Sequence, residues 1–148
     1  MKLPVTGGCN CGEVRFEIST EPKLTWICHC RECQRFSGGG GMTNIVFRKS
    51  DVRFTKDAPI AHGEVGTSGN PTRRGFCPSC GCSITAFADI FPDVHGICAA
   101  SLDDPTILKV VAHIWTDSMQ PWDFVPEGVA QFGKTPTMEE LGTLLSEE

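Results

Sequence analysis

Closely spaced cysteines constrain this chain more than any other feature of its sequence. Cys28, Cys30 and Cys33 place three thiols within six residues. Thiols this close together are unusual in an ordinary core but suit one soft cation, and a tetrahedral zinc would take them at about 2.3 Å each. No neighbour in the sequence fills the fourth position. The spacing therefore indicates a metal site, and an open position on zinc is typical of an enzyme.

The other close cysteines form a complete set of four thiolate ligands. Cys9 and Cys11 are separated by one residue, and Cys77 and Cys80 by two. Because four thiolates must converge before a tetrahedral zinc binds, such a site contributes directly to the free energy of folding. The sequence thus predicts zinc as the cofactor, with two ions per chain. One is a structural ion in this closed set, and the other is held by the three-cysteine cluster.

The cysteine count and the net charge limit the compartment and the partners of the protein. An odd number of cysteines, nine, does not fit a disulfide framework, and a reducing cytosol favours metal ligation. Residues 1–8 do not resemble a signal peptide, and no apolar run approaches the roughly 20 residues of a membrane span. The formal net charge of −5 disfavours nucleic acid, which is bound mainly by lysine and arginine. We therefore expect a cytoplasmic protein without membrane or nucleic-acid partners.

Short strands at regular spacing predict a mainly β fold in one domain, residues 1–148. Val14, Phe16 and Ile18 alternate with charged residues, which indicates a half-buried strand over 13–19. Segments 42–48 and 52–55 flank a turn and are predicted to form a hairpin. The other predicted strands are 24–27, 60–67, 73–76, 83–88, 94–100 and 108–116.

Two segments have helical character. Residues 30–37 contain no proline or glycine, and a turn or two of helix there would place two of the clustered cysteines on one face. Near the end of the chain, Thr137 and Glu140 have capping-box spacing, which predicts a C-terminal helix over 137–146. Its apolar residues recur at helical intervals: Leu141, Leu144 and Leu145.

The three-cysteine site has two interpretations that the spacing does not separate. In the first, water or a substrate thiol takes the fourth position, and the metal lowers the pKa of that ligand. In the second, a fourth protein ligand closes the site, with Cys82, Cys98, His29 or a distant carboxylate as candidates. His29 is poorly placed for this, since it lies between two ligands and would point away from the metal. Cys82 and Cys98 are more typical of buried free thiols.

Other residues near the cysteines have both structural and functional interpretations. The glycine run 38–41 lacks the Lys-Ser/Thr of a phosphate-binding loop, so it is either a flexible connector or backbone that passes close to a substrate. Four arginines either balance the thiolate charge or bind a substrate carboxylate: Arg31, Arg35, Arg73 and Arg74. The remaining histidines and two tryptophans are interpreted first as structural residues: His62, His95, His113, Trp115 and Trp122.

The order and spacing of these motifs resemble one known family. The matching segments are 9–12 (CNCG), 28–38 (CHCRECQRFSG), 76–81 (FCPSCG), 101–105 (SLDDP), 113–118 (HIWTDS) and 121–122 (PW). From about residue 7 to 136, the chain resembles the glutathione-dependent formaldehyde-activating enzyme family, which also includes centromere protein V. Cys82 departs from the family pattern.

The resemblance implies a fold, two metal sites and an activity. The implied fold is a β-tent of two curved antiparallel sheets stapled by zinc. The implied structural zinc ligands are Cys9, Cys11, Cys77 and Cys80, and the implied catalytic zinc ligands are Cys28, Cys30 and Cys33. The family's named activity joins glutathione to formaldehyde to give S-hydroxymethylglutathione and is classed as a carbon–sulfur lyase.

Three functional hypotheses follow from the sequence. The leading one is a zinc-dependent carbon–sulfur lyase in which a thiol such as glutathione attacks a small aldehyde at the three-cysteine site, with a nearby donor for the oxyanion. His29 is assigned a supporting or proton-transfer role, and the backbone of 38–41 the edge of the substrate site. The alternative is a noncatalytic, zinc-stapled protein-interaction module, although this chain lacks an added basic or disordered region. A reductase that uses the thiol of Cys98 is the third.

Overall fold

Eleven strands in two sheets make up most of the structure, a computed structural model that describes residues 2–22 and 24–146. The strands are β1 Val5–Gly8, β2 Arg15–Ile18, β3 Leu24–Cys28, β4 Met42–Arg48, β5 Val52–Phe54, β6 Ile60–Val65, β7 Pro71–Phe76, β8 Ser83–Ala88, β9 Val94–Cys98, β10 Ala112–Ile114 and β11 Ala130–Phe132. The helices are α1 Arg31–Ser37 and α2 Met138–Ser146. The predicted mainly β class is confirmed.

The two sheets differ in size and in strand direction. The smaller has the order β1-β2-β5, and the larger has the order β11-β10-β3-β4-β9-β8-β7-β6. Adjacent strands are antiparallel except at one edge, where β10 runs parallel to both β3 and β11. A parallel pair needs a long connection, and here the chain passes through β4 to β9 before β10 returns beside β3. The fold matches the expected pair of sheets, with this parallel edge added.

The predicted hairpin of 42–48 and 52–55 is wrong. β4 and β5 both form, but a 3₁₀ turn over Lys49–Asp51 carries the chain from the larger sheet to the smaller one. There β5 pairs with β2, and Phe54 lies directly opposite Phe16. The two rings pack edge to face, with their centroids 6.3 Å apart. Phe16 is buried in the main core and the partly buried Phe54 packs against it. This aromatic packing, rather than the short turn, determines which strand β5 joins.

The predicted strand over 108–116 is also shorter in the structure, where only Ala112–Ile114 is extended and paired. The chain enters this region through a 3₁₀ turn over Pro105–Ile107. The carboxylate of Asp104 caps that turn by accepting a hydrogen bond from the backbone N–H of Thr106 at 3.0 Å. The turn ends at Ile107, and residues 108–111 connect it to β10, which begins at Ala112.

The main core lies between the two sheets and reaches one of the cysteine sets. Side chains of both sheets contribute to it, including Phe16 and Ile18 from β2 and Ile97 from β9, all of which are buried. Cys9 and Cys77 belong to the same cluster. The four-cysteine set is therefore continuous with the packing of the fold rather than attached to its surface.

The predicted C-terminal helix is confirmed, and its cap suggests a test. The hydroxyl of Thr137 accepts from the backbone N–H of Glu140 at 3.2 Å, and the Glu140 carboxylate accepts from the N–H of Thr137 at 2.7 Å. We expect Thr137→Ala to destabilise α2 locally by about 1 kcal/mol. Because α2 has no buried residue, the melting temperature should not change.

Amide hydrogen exchange over residues 138–146 measures this effect. Thr143→Ala, an exposed substitution within the same helix, is the matched control and should not accelerate exchange. Equal protection in the two variants would show that the capping box does not stabilise α2.

Neither helix of the described residues has the length and the apolar character that a membrane-spanning helix requires. They contain seven and nine residues.

Candidate metal centres

The three-cysteine group forms where β3 ends and α1 begins. Cys28 is the last residue of β3, Cys30 is the N-cap of α1, and Cys33 lies in its first turn. The backbone N–H of Cys33 donates to the sulfur of Cys30 at 3.4 Å. This cap turns the chain so that all three sulfurs lie within 4.8 Å of one another. Sulfurs bound to one tetrahedral zinc are about 3.8 Å apart, so the group fits that ion.

The environment of the three thiols lowers the pKa of one of them, Cys33, and raises those of Cys28 and Cys30. Their exposure is only 6%, 8% and 6% for Cys28, Cys30 and Cys33. Hydrogen bonds from Cys28 and Cys30, together with the charge of Arg74, lower the pKa of Cys33 to about 3. Hydrogen bonds with Cys30 and Cys33, together with burial, raise the pKa of Cys28. The pKa of Cys30 is also raised, because the lowering effect of Cys28 is outweighed by the hydrogen bond with Cys33 and by burial. A buried thiolate of this kind is a soft, preorganised metal ligand.

No candidate for a fourth protein ligand joins this group among the described histidine, cysteine and acidic residues. Cys98 is buried nearby, but its thiol contacts the sulfur of Met42 at 3.5 Å, and burial raises its pKa to about 12. Cys82 lies beside the four-cysteine set instead, where its sulfur accepts from the backbone N–H of Asn10 at 3.3 Å. The described part of the chain thus offers three ligands here, which favours the first interpretation of the spacing.

The imidazole of His29 is directed away from the thiols. Its Nδ1 lies 3.0 Å from the carbonyl oxygen of Gly40, and its Nε2 lies 2.8 Å from Nδ1 of His113. Because a carbonyl only accepts hydrogen bonds, Nδ1 of His29 carries the proton and Nε2 accepts from His113. The carboxylate of Asp123 is 3.7 Å from the same Nδ1. Both ring nitrogens are therefore engaged within a separate polar cluster.

Two residues of the glycine run 38–41, Gly40 and Gly41, pack against this histidine cluster. A Cβ at Gly41 would lie 2.7 Å from Cγ2 of Ile27, and one at Gly40 would overlap the carboxylate of Asp123. Glycine is thus required by close packing. A cavity of about 430 Å³ adjoins these residues and is lined in part by His29, His113 and Asp123. The sequence did not single out Asp123, because nothing local links it to His29.

Of the four arginines near the cysteines, Arg74 is the one whose guanidinium contacts the three-cysteine group. Its side chain comes from β7, is 8% exposed, and its Nη2 lies 3.9 Å from the sulfur of Cys33. Nη1 donates to Glu64 at 2.9 Å. The other arginines do not make this contact; Arg73, for example, pairs with Asp89 at 2.9 Å.

The four-cysteine group joins the turn after β1 to the turn after β7. The sulfurs of Cys9 and Cys11 are 3.4 Å apart, and those of Cys11 and Cys77 are 3.7 Å apart. All four sulfurs, including that of Cys80, lie within 4.8 Å of one another. The backbone N–H of Val14 donates to Cys9 at 3.2 Å, an interaction that favours the thiolate. This donor set and spacing fit a closed tetrahedral zinc.

A cleft of about 810 Å³ adjoins the four-cysteine group. Its lining residues include Cys9 and Cys82, and also Met42 and Cys98. Met42 and Cys98 pack in the same buried cluster as the three thiols. The cleft therefore reaches the residues that surround the three-cysteine group.

Comparisons with known proteins agree with these observations. The sequence profile described as "Glutathione-dependent formaldehyde-activating enzyme" matches residues 4–118. A Halomonas elongata protein named "Putative glutathione-dependent formaldehyde-activating enzyme" is 27% identical over 121 residues, which are 78% of this chain and 77% of that relative. A crystal structure of a Rhodobacter sphaeroides protein superposes with a TM-score of 0.55 at 23% identity, covering 71% of this chain and 96% of that one. The last comparison supports the fold alone, and both cysteine groups lie within the profile match.

Proposed function

This chain belongs to the glutathione-dependent formaldehyde-activating enzyme family, and on that premise we propose that it is a zinc-dependent carbon–sulfur lyase. It would join a thiol, glutathione or a similar compound, to a small aldehyde. The observation that carries the proposal is the buried group of Cys28, Cys30 and Cys33, which has no fourth protein ligand among the described residues. A zinc held by three thiolates has a position for an exogenous thiol, as catalytic zinc sites do.

The proposed site divides the chemistry between the ion and the protein. Zinc lowers the pKa of a thiol that it coordinates and so supplies a thiolate at neutral pH. Cys28, Cys30 and Cys33 would hold the ion in surroundings from which water is largely excluded, since each is at most 8% exposed. Low water content strengthens electrostatic stabilisation of the charge that develops on the aldehyde oxygen.

A second zinc is proposed at Cys9, Cys11, Cys77 and Cys80, where it would be structural. Cys9 and Cys77 are part of the main core, so an ion there would connect the first strand to the end of β7. This closed set leaves no position for a substrate, and its expected contribution is to folding.

His29 is proposed to position the two cysteines that flank it. Its backbone N–H donates to Ile114 at 2.9 Å, and its carbonyl accepts from the side-chain amide of Gln34 at 2.6 Å. The ring is also held by its hydrogen bond with His113. These contacts restrict the conformation of the short segment from Cys28 to Cys30. We favour this role over direct proton transfer, because both ring nitrogens are engaged away from the thiols.

The cytoplasm is the proposed compartment, because both sets of ligands must stay reduced to bind metal. The alternative function remains a noncatalytic, zinc-stapled interaction module. Two closed metal sites would favour that alternative, and one exchangeable site would favour the enzyme.

Cobalt substitution followed by glutathione titration tests the proposal. Cobalt shares the tetrahedral preference of zinc, and its visible spectrum reports the ligand set. We expect a saturable spectral change from one of two cobalt ions, and the zinc protein should then convert glutathione and formaldehyde to the adduct. S-methylglutathione, which lacks the thiol, is the control and should cause no change. Two unresponsive ions and no turnover would contradict the lyase and favour the interaction module.

A further inference from the structure

Arg74 is a buried cation beside the three-cysteine group. It lies on β7 opposite Ala86 of β8, and Ala86 packs against the cluster that contains Cys28, Cys30 and Cys33. Burial of a guanidinium costs free energy unless its N–H donors are hydrogen-bonded, so a partner is expected for each of its nitrogens.

The contacts of Arg74 account for its two terminal nitrogens but not for Nε. Nη1 donates to Glu64 at 2.9 Å, and Nη2 lies 3.9 Å from the sulfur of Cys33. Nε is buried and has no hydrogen-bond partner among the described residues. Because Nε belongs to the same rigid planar group as Nη2, it lies close to the thiols. Unsatisfied buried donors are rare, and one beside a candidate catalytic centre indicates a ligand that it can bind.

We propose that Arg74 is the catalytic donor for the aldehyde oxygen, an inference that rests on the proposed lyase function. In that reaction a thiolate sulfur forms a bond to the carbonyl carbon, and the π electron pair of the C=O bond moves to oxygen. The oxygen then takes the proton that the thiol lost, which gives R–S–CH₂–OH without an oxidant or reductant. The N–H of Nε would donate to the oxygen as its negative charge develops.

The other cations near the site are less suited to this role. Arg73 is the next residue on β7, but strand alternation places it on the opposite face, where its half-exposed side chain pairs with Asp89. Arg31 is exposed and donates to Gln34. Arg74 is thus the cation among these arginines that is buried and in contact with a proposed metal ligand.

A simpler role for Arg74 would be to balance the charge of the thiolates. The two roles make different predictions for Arg74→Lys, which keeps the positive charge but removes Nε and the planar arrangement of donors. If Arg74 only balances charge, this variant should retain activity. If Arg74 donates to the aldehyde oxygen, the variant should lose it.

The test combines turnover with an equilibrium titration that does not depend on catalysis. Formate is the probe, because it is planar, has one carbon and carries negative charge on oxygen. Wild-type cobalt protein saturated with glutathione should bind formate with a further spectral change. For Arg74→Lys we expect formate affinity to fall about tenfold or more and kcat to fall about 10²-fold or more, with glutathione affinity unchanged. Arg73→Lys is the matched control and should behave as wild type.

Glu64→Ala is a second variant for the case in which Arg74→Lys does not fold. The Glu64 side chain is 45% exposed, so its loss should not affect the core, but it releases Nη1 of Arg74. We expect weaker formate binding and a several-fold lower kcat, again with unchanged glutathione affinity.

The outcomes separate this inference from the proposed function. A wild-type protein that neither responds to glutathione nor turns over would overturn the lyase and, with it, the role of Arg74. If the wild-type protein responds to glutathione and turns over the substrates but does not bind formate, the role of Arg74 alone would be overturned. An Arg74→Lys variant that keeps both formate affinity and kcat would also overturn it, since that result indicates that the positive charge alone is needed.

Discussion

Replacement of Cys33 by serine is expected to abolish turnover, reduce the metal content from two ions to one and leave the protein folded. Cys33 would supply one of three ligands from the first turn of α1, and its sulfur lies 3.9 Å from Nη2 of Arg74. A serine hydroxyl is not deprotonated at neutral pH and is a poor zinc ligand. Loss of the ion removes several kcal/mol of catalytic stabilisation, so kcat should fall by roughly 10³-fold or more. Metal analysis and steady-state kinetics on the same preparation measure both effects.

Cys98→Ala is the matched control for this substitution. Cys98 is buried in the same cluster, but its sulfur is not part of the metal-ligand group. With a pKa of about 12 it is protonated at neutral pH, so its removal should preserve both ions and the activity. Loss of activity in Cys98→Ala alone would favour the reductase hypothesis. Full activity in Cys33→Ser with one ion bound would refute the proposed role of the three-cysteine site.

Replacement of Cys77 by serine is expected to unfold the protein. The side chain of Cys77 is fully buried at 0% exposure, and the proposed zinc would link it to Cys9 and Cys11 across the core. Structural zinc sites contribute about 10–16 kcal/mol of apparent binding free energy, which is comparable to the entire stability of a typical domain, about 5–15 kcal/mol. We therefore expect loss of the cooperative thermal transition and of the β-sheet circular dichroism signal.

Cys82→Ser controls for loss of a thiol in the same region. Cys82 is partly buried beside the four sulfurs but lies outside the group. This variant should bind two ions and melt within a few degrees of wild type. A Cys77→Ser protein that melts at the wild-type temperature would show that no structural ion is held there. Strong chelation of the wild-type protein should reproduce the Cys77→Ser result.

Local patterns in the sequence predicted much of the fold. The alternation of Val14, Phe16 and Ile18 identified β2, and the capping box at Thr137 identified α2, because each pattern reflects geometry within one element. The predicted hairpin of 42–48 and 52–55 failed for the opposite reason. A short polar turn is compatible with several strand pairings, and burial of Phe54 against Phe16 selected the pairing with β2.

The site shows the same division between local and long-range information. The sequence by itself determined which thiols are close together within each cysteine motif, because spacings of one or two residues hold sulfurs together in almost any turn, but not that Cys11 would meet Cys77, 66 residues away. It did not determine which arginine reaches them or where His29 points. Arg74 lies 41 residues from Cys33, and His29 lies 84 residues from His113. Only the order of the strands and the face of the sheet that each side chain occupies bring such residues into contact, because those depend on how the whole chain buries its apolar surface.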